Sequence, residues 1–412
     1  MSNSTASESK IVKTQKISLS ELRVGMYVLS IYTKNKSVNI KSEGYILKTA
    51  SIQQLKKSNV TFVDIDPTRT KQSEEKEKNT LPSSDSATQE AEEITSTASF
   101  DSEMKKAEQL YNNAKVLQKK ILHDITQDKA IDLESVQEST DAIVDSIFRN
   151  QDALSCMSRL RVKDDYLVEH SLNVSILMTI FCKHMKIERK TMEDLALGAF
   201  LHDIGKTLIP DKVLQKPGKF TDEEYAIMKT HVMLGVKILE DTPNIPETSM
   251  MVVKEHHERL DGKGYPYGLT AGQISQYSRM IAIADCYDAM TAERVYKAGM
   301  HPIKAFKILI SESPSAFDKK LVEQFIQCLG LYPIGTLVKL NSGKVGLISK
   351  LNKNKPLQPF VRVFYNTRLN QVISMEEIDL SKPKYNDQIE SCVKPEEFNL
   401  DFTKFFKSAF LE

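Results

Sequence analysis

The sequence of 412 residues has no run of 18 apolar residues, so no helix is expected to span a membrane. Its opening segment, MSNSTASESK, lacks an apolar core and does not read as a secretory signal. The five cysteines (Cys156, Cys182, Cys286, Cys328, Cys392) are widely spaced and form no CxxC, so a reducing cytoplasm is the expected home. Net charge is nearly absent as well. The 56 Lys+Arg and 55 Asp+Glu leave +1, which excludes long-range attraction of a nucleic-acid polymer by bulk charge. Core-forming residues are present in ordinary measure: 41% hydrophobic and 27% charged is globular composition, and the length suits about two or three domains.

The chain divides by composition. Residues 1–70 read as a small α+β domain, with strand-like alternation in KISLSELRVGMYVLSIYTK, a turn at Gly25, a short helix in SIQQLKKSN and a closing strand VTFVDID. Residues 71–102 are rich in Ser, Thr and Glu and read as a flexible acidic linker, unable to bury enough surface to offset ordering entropy. Residues 103–150 form a helical connector. Ala107, Leu110, Ala114, Leu117 and Ile121 make one apolar seam, and Val136, Thr140, Ile143 and Ile147 continue it. These seams suit either the next domain or a second chain, which makes a homodimer one expectation. Residues 151–331 are helical almost throughout, with a capping-box start at Thr221 and Glu224 to a helix running to about Leu239. Residues 332–412 turn to short strands, GTLVKLNSGKVGLISKL and FVRVFYN, as a small β extension. The fold class is therefore mainly α.

Histidines His170, His202, His231, His256 and His257 fall within one 88-residue stretch of that helical domain. Asp203 follows His202 directly, and Asp285 lies inside the apolar run MIAIADCYDAM. A lone buried carboxylate is costly unless it is paired or binds a cation, so Asp285 takes either Arg279 or Lys297 as partner or a metal. Adjacent His256 and His257 lie about 100° apart on a helix and suit a polynuclear centre, whereas a purely structural reading sends one to solvent and one to Glu258 or Asp261. Facing helices of a bundle can converge such donors. The loop RLDGKGYPYGL adds Gly262, Gly264 and Gly268 with two tyrosines, more than a plain turn requires; its amides and Tyr faces suit a phosphate and a base.

HDIGK (202–206), HVMLG (231–235), HHERLDGKGYP (256–266) and DCYDAMTAERVYK (285–297) together resemble the HD-GYP phosphodiesterases, a branch of the HD superfamily. The resemblance covers about residues 150–330, and the first 66 residues are similar, more loosely, to a small domain often found before HD-GYP domains. It implies an all-α domain that hydrolyses cyclic di-GMP, a bacterial second messenger, to linear pGpG and often on to GMP. The implied metal ligands are His170, His202, Asp203, His231, His256, His257 and Asp285, with Asp203 bridging. Lys206 would contact the scissile phosphate, Arg294 and Lys297 would hold phosphate oxygens, Asp288 would support the region, and Gly264, Tyr265 and Pro266 would line the pocket. Iron or manganese is the implied metal. Members with three ions place a Glu four residues before the first His; Tyr166 stands there, which favours two ions.

Two cations sharing a bridging water would lower its pKa and offset phosphoryl charge, assisted by Lys206, Arg294 and Lys297. Two alternatives keep the same residues: the same chemistry on cyclic GMP–AMP, and a non-hydrolytic module that answers a cyclic dinucleotide and signals to a protein partner through the Gly-Tyr-Pro loop or the N-terminal domain.

Overall fold

The computed structural model describes residues 14–67 apart from 24–25, 34–35, 41–43, 47–51, 53–54 and 57–59, then 98–160, 166–293 and 298–411 apart from 353 and 399. Gly25, most of the SIQQLKKSN segment and nearly all of the linker lie outside these residues. The chain separates into two units, residues 1–92 and 93–412.

The first unit is an antiparallel sheet in the order β1 (Gln15–Ser18), β5 (Val60–Asp66), β2 (Tyr27–Thr33), β3 (Lys36–Ile40), with β4 (Gly44–Tyr45) also on β2. VTFVDID is one of its two inner strands, and Val60, Val63 and Ile65 lie in a small core with Ile17, Leu19, Leu22, Val28 and Ile46. On the other face the Tyr32 hydroxyl donates to Asp64 Oδ2 at 2.5 Å.

The second unit opens with a helical hairpin, α1 (Phe100–Thr126) and α2 (Leu133–Met157). Ser99 caps α1 by accepting from the Ser102 amide, so the helix starts inside the stretch read as linker. The seam residues Ala107, Ala114, Ile121, Val136, Ile143 and Ile147 are buried in the same core as the helices that follow. The seam that suggested a homodimer is thus covered within the chain. Next come α3 (Tyr166–His184), α4 (Arg189–Leu201), a 3-10 turn (Ile204–Leu208), α5 (Asp211–Leu214), α6 (Asp222–Lys229), α7 (His231–Glu240), α8 (Glu247–Glu255), α9 (Gln276–Thr291), α10 (Pro302–Ser311) and α11 (Lys319–Leu329). Every residue of α3 from Val168 to Cys182 is buried. A helix buried on all sides must sit at the centre, and α9, itself largely buried, packs beside it.

The single helix expected from Thr221 to Leu239 is two. Its capping box is present, but the chain breaks at Thr230. There the Thr230 hydroxyl donates to the Ile227 carbonyl at 2.7 Å and the His231 ring takes that of Met228, so side chains replace the backbone ladder. The C-terminal segment is a five-stranded antiparallel sheet in the order β10 (Ile389–Cys392), β6 (Leu337–Leu340), β7 (Lys344–Lys350), β8 (Phe360–Asn366), β9 (Gln371–Asp379). A last helix, α12 (Phe402–Phe410), covers it: Phe405 stacks on Phe364 at 4.5 Å, and Phe410 meets Phe100 of α1 at 5.5 Å. The sheet therefore shares one core with the helices. Among the described residues no helix is long and apolar enough to cross a membrane.

Candidate metal centre

The seven expected ligands come from helix ends and from the two central helices. His202 caps the C-terminus of α4, His256 that of α8, and His231 opens α7 where α6 has just ended. All three rings use one device. The Nδ1 of each lies on the carbonyl three residues back: Ala199 at 2.7 Å, Val253 at 2.8 Å and Met228 at 2.7 Å. Helix ends leave carbonyls without intrahelical partners, and a ring N–H satisfies one of them. Donation from Nδ1 fixes the tautomer and turns the Nε2 lone pair inward. His170, in the first turns of α3, has its Nδ1 on Asp288 Oδ2 at 2.8 Å, which fixes the ring with Nε2 facing inward.

Two donor groups result, and within each the ligand atoms lie within 4.8 Å of one another. One comprises Asp203, His231, His256 and His257, the other His170, His202 and Asp285. Asp203 joins them. Its Oδ2 lies 3.4 Å from both His170 Nε2 and His202 Nε2, while its Oδ1 lies 3.4 Å from His231 Nε2 and 3.8 Å from His256 Nε2. Asp285 Oδ1 is 2.9 Å from His170 Nε2 and Oδ2 is 3.6 Å from His257 Nδ1. Metal–nitrogen bonds of about 2.1 Å separate neighbouring ligand atoms by about 3.0–3.5 Å, close to the 2.9–3.8 Å present. Gly205 allows this approach. A Cβ there would stand 2.0 Å from the His231 carbonyl oxygen and 2.4 Å from the Gly235 nitrogen, so HDIGK and HVMLG touch through their glycines.

The fit to cations has independent support. His202 Nε2, Asp203 Oδ1 and His257 Nε2 are buried without a hydrogen-bond partner among the described residues. Buried polar atoms are rarely left so, and three on one centre fit donors to a cation. Burial, with the neighbouring His257 and His202, holds His256 well below the usual histidine range. Burial likewise pulls His257 down to about 3, so both rings are neutral donors. Burial opposes charge on Asp203, but Lys206 and His202 outweigh it and hold the carboxyl well below its usual range. His170 is the exception. Burial works against its charge, yet hydrogen bonds to Asp285 and Asp288 push it up to about 9. Its proton lies toward Asp285, on the edge that a cation would occupy.

Lys206 Nζ pairs with Asp203 Oδ2 at 2.5 Å. Asp288, expected with the substrate-binding set, is buried and accepts from His170, so it orients a ligand ring. Arg294 and Lys297 lie outside the described residues. Arg279, the other candidate partner for Asp285, instead pairs with Asp318 at 3.0 Å. Tyr166 stacks on the His170 ring at 5.4 Å.

The Gly-Tyr-Pro loop closes one side. The Tyr265 amide donates to the His257 carbonyl at 3.2 Å, and its ring lies 4.6 Å from that of His257. Burial raises the Tyr265 phenol, which stays neutral. The exposed Tyr225 ring stands 6.3 Å beyond it. A Cβ on Gly264 would meet the Arg259 nitrogen at 2.4 Å, so glycine is required there. Glu258 is the residue that sequence reasoning missed in this role. Its carboxylate accepts from the amides of Tyr267, Gly268 and Leu269 at 2.7, 3.1 and 2.9 Å, stapling the loop rather than serving a histidine. Its only sequence signal is an acidic residue directly after two histidines and ahead of a glycine-rich loop. Glu258→Ala would leave three amides unpaired at about 1–3 kcal/mol each before water enters. A melting temperature lowered by several degrees is expected, with a raised KM as the loop loosens; an unchanged KM would make the staple purely structural.

Three family models match the chain: an HD domain over residues 151–321, a domain of unknown function (DUF3391) over 14–136, and a KOW domain associated with HD domain over 337–400. The second match runs through α1. A cyclic di-GMP phosphodiesterase of Pseudomonas aeruginosa is 31% identical over 387 residues, covering 93% of this chain and 93% of that protein. A 3'3'-cGAMP-specific phosphodiesterase of Vibrio cholerae is 33% identical over 171 residues, or 42% of this chain and 37% of that protein. Among solved structures, an HDGYP protein of Bdellovibrio bacteriovorus is similar with 18% identity and a TM-score of 0.47, over 76% of this chain and 98% of that chain.

Proposed function

The chain belongs to the HD-GYP phosphodiesterases, and on that premise we propose that it hydrolyses cyclic di-GMP to linear pGpG, GMP or both with two divalent ions, iron or manganese. The observation that carries this reading is the carboxylate of Asp203, with one oxygen facing each donor group. One ion would be held by His170, His202 and Asp285, the other by His231, His256 and His257, with Asp203 common to both. Such ions, when bound, lower the pKa of water and offset charge on phosphoryl oxygens.

The protein's own residues then do the rest. The inward Nε2 atoms, fixed by carbonyls and by Asp288, hold the centre rigid, so little reorganisation accompanies reaction. Lys206, paired with Asp203 in the metal-free fold, would be free to turn its ammonium to the scissile phosphate once Asp203 served as a metal ligand. Arg294 and Lys297 hold further phosphate oxygens, while Gly264, Tyr265 and Pro266 line the pocket and Tyr265 presents its ring to a base. Tyr166 supports two ions over three, because a stacked phenol occupies the position of a carboxylate donor.

The relative named for 3'3'-cGAMP makes cyclic GMP–AMP the competing substrate. The test is anaerobic loading with Fe or Mn, incubation with each cyclic dinucleotide, and chromatography of the products. Linear dinucleotide or GMP from cyclic di-GMP at the higher kcat/KM is expected. Faster turnover of cyclic GMP–AMP would reassign the substrate. Binding of either without turnover by protein holding two ions would overturn hydrolysis in favour of a signalling module.

A further inference from the structure

We infer that α1, which supplies no ligand, is a positioning element for the metal centre, acting through Tyr111, Lys115 and Gln118; the inference rests on the metal-dependent reading above. These residues are four and three apart and so share one face of the helix. Apart from Glu103, the rest of that face is apolar, with Met104, Ala107, Ala114, Ile121 and Ile125 in the core. Apolar side chains would fill it at lower cost, since buried polar groups and buried ion pairs carry desolvation penalties.

What the three residues touch gives them a purpose. Lys115 Nζ pairs with Glu169 Oε1 at 2.6 Å, with side chains 15% and 2% exposed, and Glu169 directly precedes His170. The Tyr111 hydroxyl donates to Asn173 Oδ1 at 3.0 Å, one turn beyond His170. Gln118 Nε2 donates to the Phe200 carbonyl at 3.4 Å, beside the Ala199 carbonyl that fixes the His202 ring. Gln118 Oε1 has no partner among the described residues, so this amide is not there for the best hydrogen bonding. The contacts bracket His170 and approach His202, two of the three residues of one donor group. Groups that orient metal ligands from behind typically change metal affinity by about 10–100-fold when removed.

The same helix supplies a matched control. Glu103 of α1 is fully buried and accepts from Arg149 at 2.8 Å and from the Ser146 hydroxyl at 2.9 Å, both on α2, a helix that carries none of the seven candidate ligands. Mn(II) affinity, by chelator competition, and the melting temperature of the metal-free form are measured for the full chain and for Lys115→Met, Lys115→Arg, Tyr111→Phe and Glu103→Gln. Lys115→Met is expected to weaken one of the Mn(II) sites about 10–100-fold, with Lys115→Arg recovering most of it. Glu103→Gln is expected to lower the melting temperature and leave Mn(II) affinity unchanged. Tyr111→Phe removes a single hydroxyl and serves if Lys115→Met does not fold; a several-fold loss at the same site is expected of it. Wild-type affinity in folded Lys115→Met or Tyr111→Phe, or an equal loss in Glu103→Gln, would overturn the inference. Wild-type protein that holds no Mn(II) would overturn the metal reading itself, a separate result visible before any variant is compared.

Discussion

Asp203→Asn is expected to lower kcat for the cyclic dinucleotide by at least about 10³-fold, the largest effect of any single substitution here. Removing one preorganised electrostatic group from an active site typically costs about 10²–10³-fold, and this carboxylate serves both donor groups at once. Asparagine keeps the shape but loses the charge and replaces one acceptor oxygen with an N–H donor. The oxygen toward His170 and His202, or the one toward His231 and His256, is then lost as a ligand. Lys206 also loses its counter-charge. Metal content measured beside the rate separates the outcomes. Loss of one ion together with activity supports the bridging role. Full activity with two ions bound would remove Asp203 from the mechanism.

The centre was legible because its donors are sequence-local pairs in recurring order. HDIGK, HHERLDGKGYP and the Asp285 run each announce themselves within a few residues, and the packing of helix ends only had to bring them together. The VTFVDID strand and the helix α3 were legible for a similar reason, since the one carries β-branched residues in near-alternation and the other a long, mostly apolar run. The break at Thr230 was not. Local propensity favours one helix, and the interruption follows from hydroxyl and imidazole side chains taking backbone carbonyls so that His231 can face Asp203. Asp288 was assigned to the region but not to its task, because the partner that defines it, His170, lies 118 positions away. Glu258 and the polar face of α1 were missed on the same ground: their meaning lies in tertiary contacts.

Mn(II) binding is expected to depend on pH more steeply at one site than at the other. In the metal-free fold His170 sits at about 9 against about 6.5 for a free imidazole, so it carries a proton throughout the neutral range. An ion entering the group of His170, His202 and Asp285 must expel that proton. Its apparent affinity should rise about tenfold per pH unit, roughly 300-fold between pH 6.5 and 9, then level off. His256 and His257 are held low and carry no proton there, so these two donors release none over the same window. The folding side has the opposite sign. A raised folded-state pKa contributes stability that is complete below 6.5 and lost as pH rises through 9, on the order of 3 kcal/mol for this shift. The depressed His257 works from below: the unfolded chain binds its proton under pH 6.5, and the metal-free protein loses stability as pH falls past that point. Metal-free protein should therefore be most stable near pH 6.5, where its affinity for the first ion is far from maximal. Calorimetry in two buffers of different ionisation enthalpy would count the released proton. Equal pH slopes at both sites, or no proton released, would show that His170 is not a ligand of the pH-sensitive ion.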